Sequence, residues 1–363
     1  MIASLSLAVW IYLFFAHGRF WLSRPQLLPA VPQEFPDVDI IVPARNESET
    51  IELVVNSLLA QDYAGKFQVI VVDDDSTDDT AALAAAAPSV QVLRLQGKSP
   101  GWSGKLWALN RGVTTSRAPV LLLTDADILH DARHLSCLVA QLLRHRLDLV
   151  SEMVRLNCSS LAECALVPAF VYFFQMLYPF ARVNNPRSSA AAAAGGSVLL
   201  RREALDRIGG LEAIHGALID DVALAQAVKK GGPIFLGHSG LASSLRRYPV
   251  FVDIWRMISR TAFTQLRYSA LSLALTLAGL VLVWIVPPWE LAFGQGWTRV
   301  CGLAACILAA VSYLPTLARY NRPYLWALAL PLIALFYMAA TLASAIDYWR
   351  GKGAHWKDRA YQR

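Results

Sequence analysis

The sequence has few cysteines, and their spacing matches neither disulfide pairs nor metal ligands. Its 363 residues include five cysteines, an odd number, and none of them forms a CxxC pair. A disulfide framework or a structural zinc site would need paired or regularly spaced cysteines. We therefore exclude both, and we expect the five thiols to be reduced and mostly buried.

Charged residues are also scarce, and lysine and arginine form no dense run. Charged residues make up 17% of the chain and hydrophobic residues 55%, with a mean hydropathy of +0.40, which is too apolar for a purely soluble protein. The net charge of +6 could favour nucleic acid, but many basic residues flank apolar segments. The composition instead predicts a membrane protein that faces an anionic cytoplasmic leaflet, with no nucleic acid partner.

The first stretch without Asp, Glu, Lys or Arg is residues 1–18, and Arg19 and Arg24 follow it. A signal peptide would place its basic residues before the apolar segment and would end in a small-residue cleavage site. Positive charges after the segment favour an uncleaved anchor over residues 1–24, with the following domain in the cytoplasm. This pattern predicts an inner-membrane protein.

Three further stretches without these charges lie near the C-terminus, and each is about long enough to cross a bilayer. They cover residues 268–289, 300–318 and 324–346, and they predict membrane helices over 268–346. If the domain before them is cytoplasmic, three crossings would place the basic tail, residues 347–363, outside, against the positive-inside tendency. Either one stretch is re-entrant or interfacial, or the tail breaks the rule.

Between the membrane segments, short apolar runs alternate with segments of helical spacing. Residues 38–42, 69–72, 90–95 and 119–123 read as strands, and the runs among them that are apolar throughout are typical of parallel strands buried on both faces. This pattern predicts an α/β domain with a mostly parallel sheet flanked by helices. Ligands of such sheets bind at the carboxyl ends of the strands.

Carboxylates follow two of these strands. Asp73, Asp74 and Asp75 come directly after the second, and Asp125 and Asp127 come after the fourth. Two carboxylates two residues apart at a strand end can point towards one hard cation that also holds a diphosphate. The two clusters therefore predict a nucleotide site at this edge of the sheet.

Two patterns with the spacing of capping boxes predict helix starts after the first two strands. Asn46 is followed by Glu49, and Ser76 is followed by Asp79. The first pattern places Arg45 at a strand-to-helix turn, where it is either a ligand contact or a solvated loop cation.

Taken in order, the motifs resemble those of inverting family 2 glycosyltransferases, over residues 38–270. The matching segments are PARNE at 43–47, VVDDDSTDDT at 71–80, GKLWALNRG at 104–112, TDAD at 124–127, Gly195-Gly196, RREALDRIGG at 201–210 and IDDVALAQAVKKGG at 219–232. The membrane segments and the tail make the chain most similar to the hopene-associated branch, near ceramide-glucosyltransferase-like enzymes. The resemblance implies a GT-A-type domain over residues 25–267.

The resemblance also implies which residues bind the donor. Asp127 would hold Mg²⁺ or Mn²⁺, which would neutralise the diphosphate leaving group. Within the triplet, Asp74 is the first choice; Asp75, where the family usually has glycine, is a departure from the family pattern that leaves the choice among the three carboxylates open. The residues implied at the nucleotide sugar before position 200 are Pro43, Ala44, Arg45, Glu47, Asp73, Asp74, Asp75, Lys105, Asn110 and Asp125.

The family's general base falls at Asp220-Asp221, where Glu-Asp is usual. Asp221 would take the proton of the acceptor hydroxyl while direct displacement inverts the anomeric centre, and Asp220 would orient it or the acceptor. The alternative is that both carboxylates simply begin the next helix, where the helix dipole favours negative charge.

The chain departs from the family at its last motif, QxxRW. Arg260 in MISRT and Arg267 in TQLRY are the two candidates, and neither segment matches fully. We favour Arg260 for the diphosphate, because Arg267 could equally be a basic flank of the next membrane segment. The incomplete motif argues against a processive polymer synthase.

Residues 164–181 contain no charged side chain, are rich in aromatic side chains and include two prolines. They predict one or two helices at the membrane interface, where they could deliver a lipid acceptor, or alternatively a buried core helix under the sheet.

Together these features predict a membrane-anchored, metal-dependent hexosyltransferase that moves a sugar from a UDP-sugar to a lipid acceptor, with a hopanoid-related lipid as first candidate. One alternative is a processive or polyprenyl-phosphate-directed transferase. Another is a non-catalytic, lipid-handling membrane protein that keeps the fold.

Overall fold

The computed structural model describes residues 1–351, 355–356 and 359–360. Its internal contacts divide the chain into two compact units, which we call the sheet unit and the helical unit. The sheet unit contains Pro25–Asn157 and Arg182–Arg247. The helical unit contains Met1–Arg24, Cys158–Ala181 and, within the described residues, 248–351.

The sheet unit is built on eight strands. They are β1 Val38–Ala44, β2 Phe67–Asp73, β3 Val90–Arg94, β4 Val120–Thr124, β5 Ile128–His130, β6 Leu149–Arg155, β7 Ser197–Arg201 and β8 Ile234–Ser244. They form one sheet in the order β3-β2-β1-β4-β7-β6-β8-β5. Strands β1 to β4 are the predicted ones, and they pair in parallel, as do β6 and β8. The three remaining pairs, β4–β7, β6–β7 and β5–β8, are antiparallel, so the predicted mostly parallel sheet is confirmed.

The central strands are buried because their sequences are apolar on both faces. Ile40, Ile41 and Val42 of β1 are fully buried, and every residue of β4 is buried. In the parallel pairing of β1 with β2, Ala44 lies opposite Asp73. The polar segments that follow these strands therefore share one edge of the sheet.

Helices connect and flank the strands. In chain order they are α1 Ile2–Ile11, α2 Ile51–Leu59, α3 Thr80–Ala85, α4 Gly104–Thr115, α5 His134–Arg144, α6 Leu161–Leu177, α7 Phe180–Val183, α8 Arg202–Arg207, α9 Asp220–Lys229, α10 Phe251–Gln265, α11 Ala270–Leu280, α12 Val286–Phe293, α13 Trp297–Arg319 and α14 Leu330–Trp349. Buried residues of α2 and α5, such as Val54 and Leu138, form the core with Ile40 and Leu122 of the sheet.

The helical unit contains three helical segments long and apolar enough to cross a membrane: Ala270–Phe293, Trp297–Arg319 and Tyr324–Trp349. They overlap the three predicted stretches. The N-terminal apolar helix, Ile2–Ala16, is shorter. Most of the basic tail lies outside the described residues, and the side on which it lies stays a prediction.

Helix α6 covers most of the predicted interfacial segment and belongs to the helical unit. It begins with a capping box between Ser160 and Glu163, and it continues through Pro168. The Tyr172 hydroxyl lies 2.6 Å from Ser312 Oγ, and the Tyr337 hydroxyl donates a 2.9 Å hydrogen bond to the Leu166 carbonyl. The helix therefore packs against α13 and α14 within the helical unit. All five cysteines are free, and three of them are buried.

Candidate active site

Hydrogen bonds join the loops after β1 and β2. The Asn46 N–H donates to Ser76 Oγ at 3.0 Å, and the Thr77 N–H donates back to Asn46 Oδ1 at 2.9 Å. The two predicted capping boxes are wrong, because α2 starts after Thr50 and α3 after Asp79, each without a side-chain cap. The predicted capping residues bond across the loops instead.

Further along, the same loops are joined by two more contacts. The Glu47 N–H donates to Thr80 Oγ1 at 2.8 Å, and the Ser48 N–H donates to Asp78 Oδ2 at 3.1 Å. Burial opposes the charge of Asp78, but hydrogen bonds from Thr80 and Ser48 outweigh it and lower the pKa of Asp78 to about 2. We call these contacts between residues 46–48 and 76–80 the loop lock.

Arg45 and the aspartate triplet lie beside the loop lock. The Arg45 guanidinium donates to the main-chain carbonyls of Asp74 and Asp75, the latter at 2.8 Å. Asp73 and Asp74 are buried, and Asp73 Oδ1 has no hydrogen-bond partner within the described part of the chain. Asp75 is exposed and has φ +59°. That left-handed conformation favours glycine but is tolerated by Asp. It therefore explains why the motif resemblance led us to expect glycine at position 75.

A second group of predicted residues meets around Lys105, near the start of α4. Its Nζ lies 2.8 Å from Asp125 Oδ1 and 3.3 Å from Asp220 Oδ2. The Lys105 side chain is only 17% exposed, so these ion pairs are largely screened from water. We call Lys105, Asp125, Asp220 and Asp221 the lysine cluster.

Asp221 is held by two main-chain donors. The Gly195 N–H donates to its Oδ2 and the Val222 N–H donates to its Oδ1, both at 2.8 Å. Helix α9 does begin at Asp220, as the alternative interpretation of the two carboxylates expected. Their contacts with Lys105 and Gly195 go beyond the role of a helix start.

The surroundings of the cluster change its acidity. Burial raises the pKa of Asp221 to about 7, the charge of Asp220 adds to this, and Lys105 opposes it. Burial also raises the pKa of Asp125, although Lys105 opposes that too. Burial disfavours the charge of Lys105 itself, but Asp125 and Asp220 outweigh it and raise its pKa. A carboxyl group whose pKa lies near neutral pH is suited to general base catalysis.

A side chain at position 195 would have little room in this packing. A Cβ atom at this position would lie 3.2 Å from Asp221 Oδ2 and 3.3 Å from Lys105 Nζ. In the structure the main chain approaches the two charged side chains.

The lysine cluster lines a small, partly open cleft. Apolar walls with a few charged groups are typical of small-molecule sites. The other lining residues are mostly apolar: Leu106, Leu109, Leu123, Thr124, Gly195, Val198, Leu211, Ile214 and Leu224.

Asp127 lies beyond the end of β4 and is 9% exposed, with Arg246 Nη1 3.6 Å from its Oδ2. The described residues contain no group of three or more His, Cys, Asp or Glu side chains that could hold a metal ion. Mg²⁺ is often held by one or two carboxylates plus substrate phosphates, so Asp127 and Asp125 fit a metal that the donor helps to bind. Sequence reasoning missed Arg246, which lies in no motif.

The remaining predicted residues lie elsewhere. Pro43 and Ala44 are buried at the end of β1, and Asn110 is half-buried on α4. Arg260 lies in α10, and Arg267 follows that helix with φ +53°; both belong to the helical unit. Their assignment to the diphosphate stays a prediction.

One family description and many solved structures match this chain. Residues 39–209 match the family described as Glycosyl transferase family 2. No curated protein matches the sequence significantly. Among solved structures, the mannosyltransferase PcManGT of Pyrobaculum calidifontis, in complex with GDP-Man and Mn²⁺, is 22% identical, with a TM-score of 0.57 over 97% of this chain and 100% of that one.

Two other similar structures cover less of this chain. TarS of S. aureus is 18% identical, with a TM-score of 0.44 over 62% of this chain and 40% of that chain. Glucosyl-3-phosphoglycerate synthase of Mycobacterium tuberculosis, in complex with Mn²⁺ and UDP-glucose, is 20% identical, with a TM-score of 0.40 over 63% and 78%. Residues 39–209 are thus similar to glycosyl transferase family 2, and the structure has a GT-A-like α/β fold.

Proposed function

We propose that the sheet unit transfers a sugar from a nucleotide diphosphate sugar, with Asp221 as the general base. The observation that carries this proposal is the environment of Asp221. Burial raises its pKa to about 7, and the Gly195 N–H fixes its orientation in a cleft. A carboxylate that merely began a helix would not need this environment.

In this mechanism Asp221 accepts the proton of the acceptor hydroxyl as that oxygen attacks the anomeric carbon. The bond from that carbon to the diphosphate breaks on the opposite side, so the configuration inverts. Lys105 keeps Asp125 and Asp220 in place and offsets part of their negative charge. Asp220 raises the pKa of the base through its own charge.

A divalent metal held by Asp127, with Asp125 nearby, would neutralise charge on the leaving diphosphate when bound. Arg246, beside Asp127, is the cation that we assign to the same diphosphate within the sheet unit. Asp73, with a buried oxygen that lacks a partner within the described residues, and Arg45 would contact the nucleoside. The motif resemblance favours UDP as the nucleotide, whereas the similar structure of PcManGT contains GDP-Man.

For the acceptor we propose a membrane lipid, with a hopanoid-related alcohol as first candidate. The support is the three apolar segments long enough to cross a membrane and the resemblance of the membrane segments and the tail to the hopene-associated branch. An inner-membrane location with the sheet unit on the cytoplasmic side follows the same reasoning. Asp221 in its cleft argues against a non-catalytic lipid-handling protein, because such a protein has no need for a tuned base.

The test uses the full-length protein in lipid nanodiscs with radiolabelled UDP- or GDP-sugars, Mn²⁺ and a bacterial lipid extract. We expect labelled lipid with one of the two nucleotides, loss of transfer with EDTA, and loss of transfer in Asp221→Asn. Transfer that is unaffected by Asp221→Asn would overturn the mechanism. Binding of nucleotide without any transfer would favour the non-catalytic alternative, and a growing saccharide chain would favour the processive one.

A further inference from the structure

A buried chain of polar side chains lies behind the cleft. Thr124 Oγ1 donates to the Gly196 carbonyl at 2.8 Å and lies 3.1 Å from His130 Nε2. His130 Nδ1 lies 3.1 Å from His134 Nδ1, and His134 Nε2 contacts Glu152 Oε1. Gly196 follows the glycine that donates to the proposed base. Neither the motifs nor the mechanism uses the two histidines or Glu152.

These side chains are inaccessible to water. His134 and Glu152 are fully buried, Thr124 is 1% exposed and His130 is 5% exposed. Buried polar groups need hydrogen-bond partners, so each ring nitrogen must be either donor or acceptor in a consistent set. The heavy-atom positions therefore restrict where the protons can lie.

The protons can be assigned from the Thr124 end. The Thr124 hydroxyl has one proton, and the Gly196 carbonyl can only accept it. His130 Nε2 must then donate to Thr124, which leaves His130 Nδ1 as an acceptor for a proton on His134 Nδ1. Burial and the charge of His134 hold the pKa of His130 well below its ordinary value, in agreement with a neutral ring.

At the other end the acceptor is Glu152. Burial opposes its ionisation, but the charge and hydrogen bond of His134 outweigh burial and lower its pKa, so it is a carboxylate. His134 Nε2 must therefore donate to it, and Ser197 Oγ lies 3.3 Å from the same nitrogen. His134 then carries protons on both nitrogens and forms an ion pair with Glu152.

This chain acts on a turn that has no side chain of its own to hold it. Gly195 and Gly196 lack Cβ atoms, so their neighbours must fix the main chain. On one side Ser151 binds Ala194: the Ala194 N–H donates to Ser151 Oγ at 2.8 Å, and the hydroxyl donates to the Ala194 carbonyl at 3.1 Å. On the other side, Thr124 holds the Gly196 carbonyl.

We propose that Glu152, His134, His130 and Thr124 form a hydrogen-bond chain of fixed direction that positions the Gly195-Gly196 turn, and with it the N–H that binds Asp221. They are positioning residues, since none of them touches the reacting atoms. The inference rests on the proposed role of Asp221 for its kinetic consequences, but the proton positions can be measured without any activity.

The first measurement is nitrogen NMR of the full-length protein labelled with ¹⁵N-histidine, without substrate. We expect one fully buried ring with both nitrogens protonated, His134, hydrogen-bonded to a ring protonated only at Nε2, His130. Thr124→Val should move the His130 signals and identify them. A singly protonated His134 would overturn the inference, whatever the protein is found to catalyse.

The second measurement is the pH profile of kcat/KM. Glu152→Gln removes the carboxylate, so His134 becomes neutral and its Nδ1 accepts a hydrogen bond from His130 Nδ1. His130 Nε2 then becomes an acceptor, and the Thr124 hydroxyl donates to it instead of to the Gly196 carbonyl. Thr124→Val breaks the same final link directly. The hydrogen bond from Gly195 lowers the pKa of Asp221, so each variant should shift the acid limb to higher pH. Both should lower kcat/KM at neutral pH by about 10-fold, the effect of one hydrogen bond to a charged group.

A double-mutant cycle separates this positioning from general damage to the core. The variant with both Glu152→Gln and Thr124→Val should lose no more than either single variant, because both break one chain. Ser136→Ala on α5 is the control, since it removes a partly buried 2.7 Å hydrogen bond to Asp62 and should leave the acid limb unchanged. Additive losses, or an equal shift in Ser136→Ala, would overturn the inference.

Discussion

Two acidic regions at the carboxyl edge of the sheet use the same residue type in opposite ways. In the loop lock, Asp78 is exposed and accepts hydrogen bonds from main-chain N–H groups and a hydroxyl, and its pKa falls to about 2. In the lysine cluster, Asp221 is half-buried beside Asp220, and its pKa rises to about 7.

The difference shows that the surroundings, more than the residue type, decide what an aspartate does. Hydrogen-bond donors around Asp78 stabilise its charged form, which holds a loop conformation. Burial and a neighbouring like charge destabilise the charged form of Asp221, which makes it ready to accept a proton. The loop lock thus holds a loop conformation, whereas the lysine cluster is suited to proton transfer.

The strongest test of this difference is to neutralise one aspartate in each region. Asp221→Asn should lower kcat by about 10²- to 10⁴-fold, because a general base contributes that much. Asp78→Asn should lower the melting temperature and raise the donor KM, with little effect on kcat. Initial rates and thermal unfolding of both variants provide the measurement. An equal loss of kcat in Asp78→Asn would contradict the division into two roles.

The next largest effect is expected from Lys105→Met, which keeps the side-chain length and removes the charge. Lys105 lowers the pKa of Asp221, so its loss should move that pKa above 7. The base acts only when ionised, and the acid limb of the pH profile should therefore move to higher pH. Lys105→Arg is the control that restores the charge. An unchanged acid limb in Lys105→Met would show that the charge of Lys105 does not affect the pKa of Asp221.

Asp220→Asn should shift the same profile in the opposite direction by a smaller amount. Asp220 raises the pKa of Asp221 through its negative charge, so the neutral amide should lower that pKa. Activity below pH 7 should then increase relative to activity at higher pH. A shift to higher pH would mean that Asp220 mainly serves to hold Lys105 in place.

The smallest effect is expected at Asp75, beside the loop lock. Asp75→Gly removes the side chain from a left-handed position but adds freedom to the unfolded chain, so stability should change by less than about 1 kcal/mol. Asp75→Ala keeps the positive φ without the polar group and should be the less stable of the two variants. Urea unfolding measures both, and a large loss of donor affinity in Asp75→Gly would instead assign this carboxylate to the nucleotide.

Much of the sheet could be predicted because β1 to β4 come from continuous apolar or β-branched runs. Strand β6 escaped prediction since it contains Glu152, a charge that interrupts the run. That charge is tolerated only because His134, on α5, contacts it, and no local pattern indicates such a contact. Strand β8 contains glycines and serines that weaken the strand signal in the same way.

The candidate site was predictable only in part for the same reason. Motif resemblance indicated Lys105 and Asp220, but their ion pair joins residues from distant parts of the sequence. Local spacing at Asn46 and Ser76 indicated helix caps, but in the structure both side chains form hydrogen bonds between the two loops. Arg246 lies in no motif, and only the end of β8 brings it to Asp127.

The helical unit is assembled from both ends of the chain, and this fixes a sequence of events during synthesis. Ser6 Oγ donates to the Leu282 carbonyl, and Trp10 Nε1 donates to the Val283 carbonyl, at 2.7 and 2.8 Å. Trp10 is fully buried, yet its acceptor is synthesised 273 residues later. The ribosome therefore completes the whole sheet unit before α1 can find its partners. Maturation of the helical unit must be a late event, and a nascent chain stalled before residue 282 would leave the Trp10 indole without this acceptor.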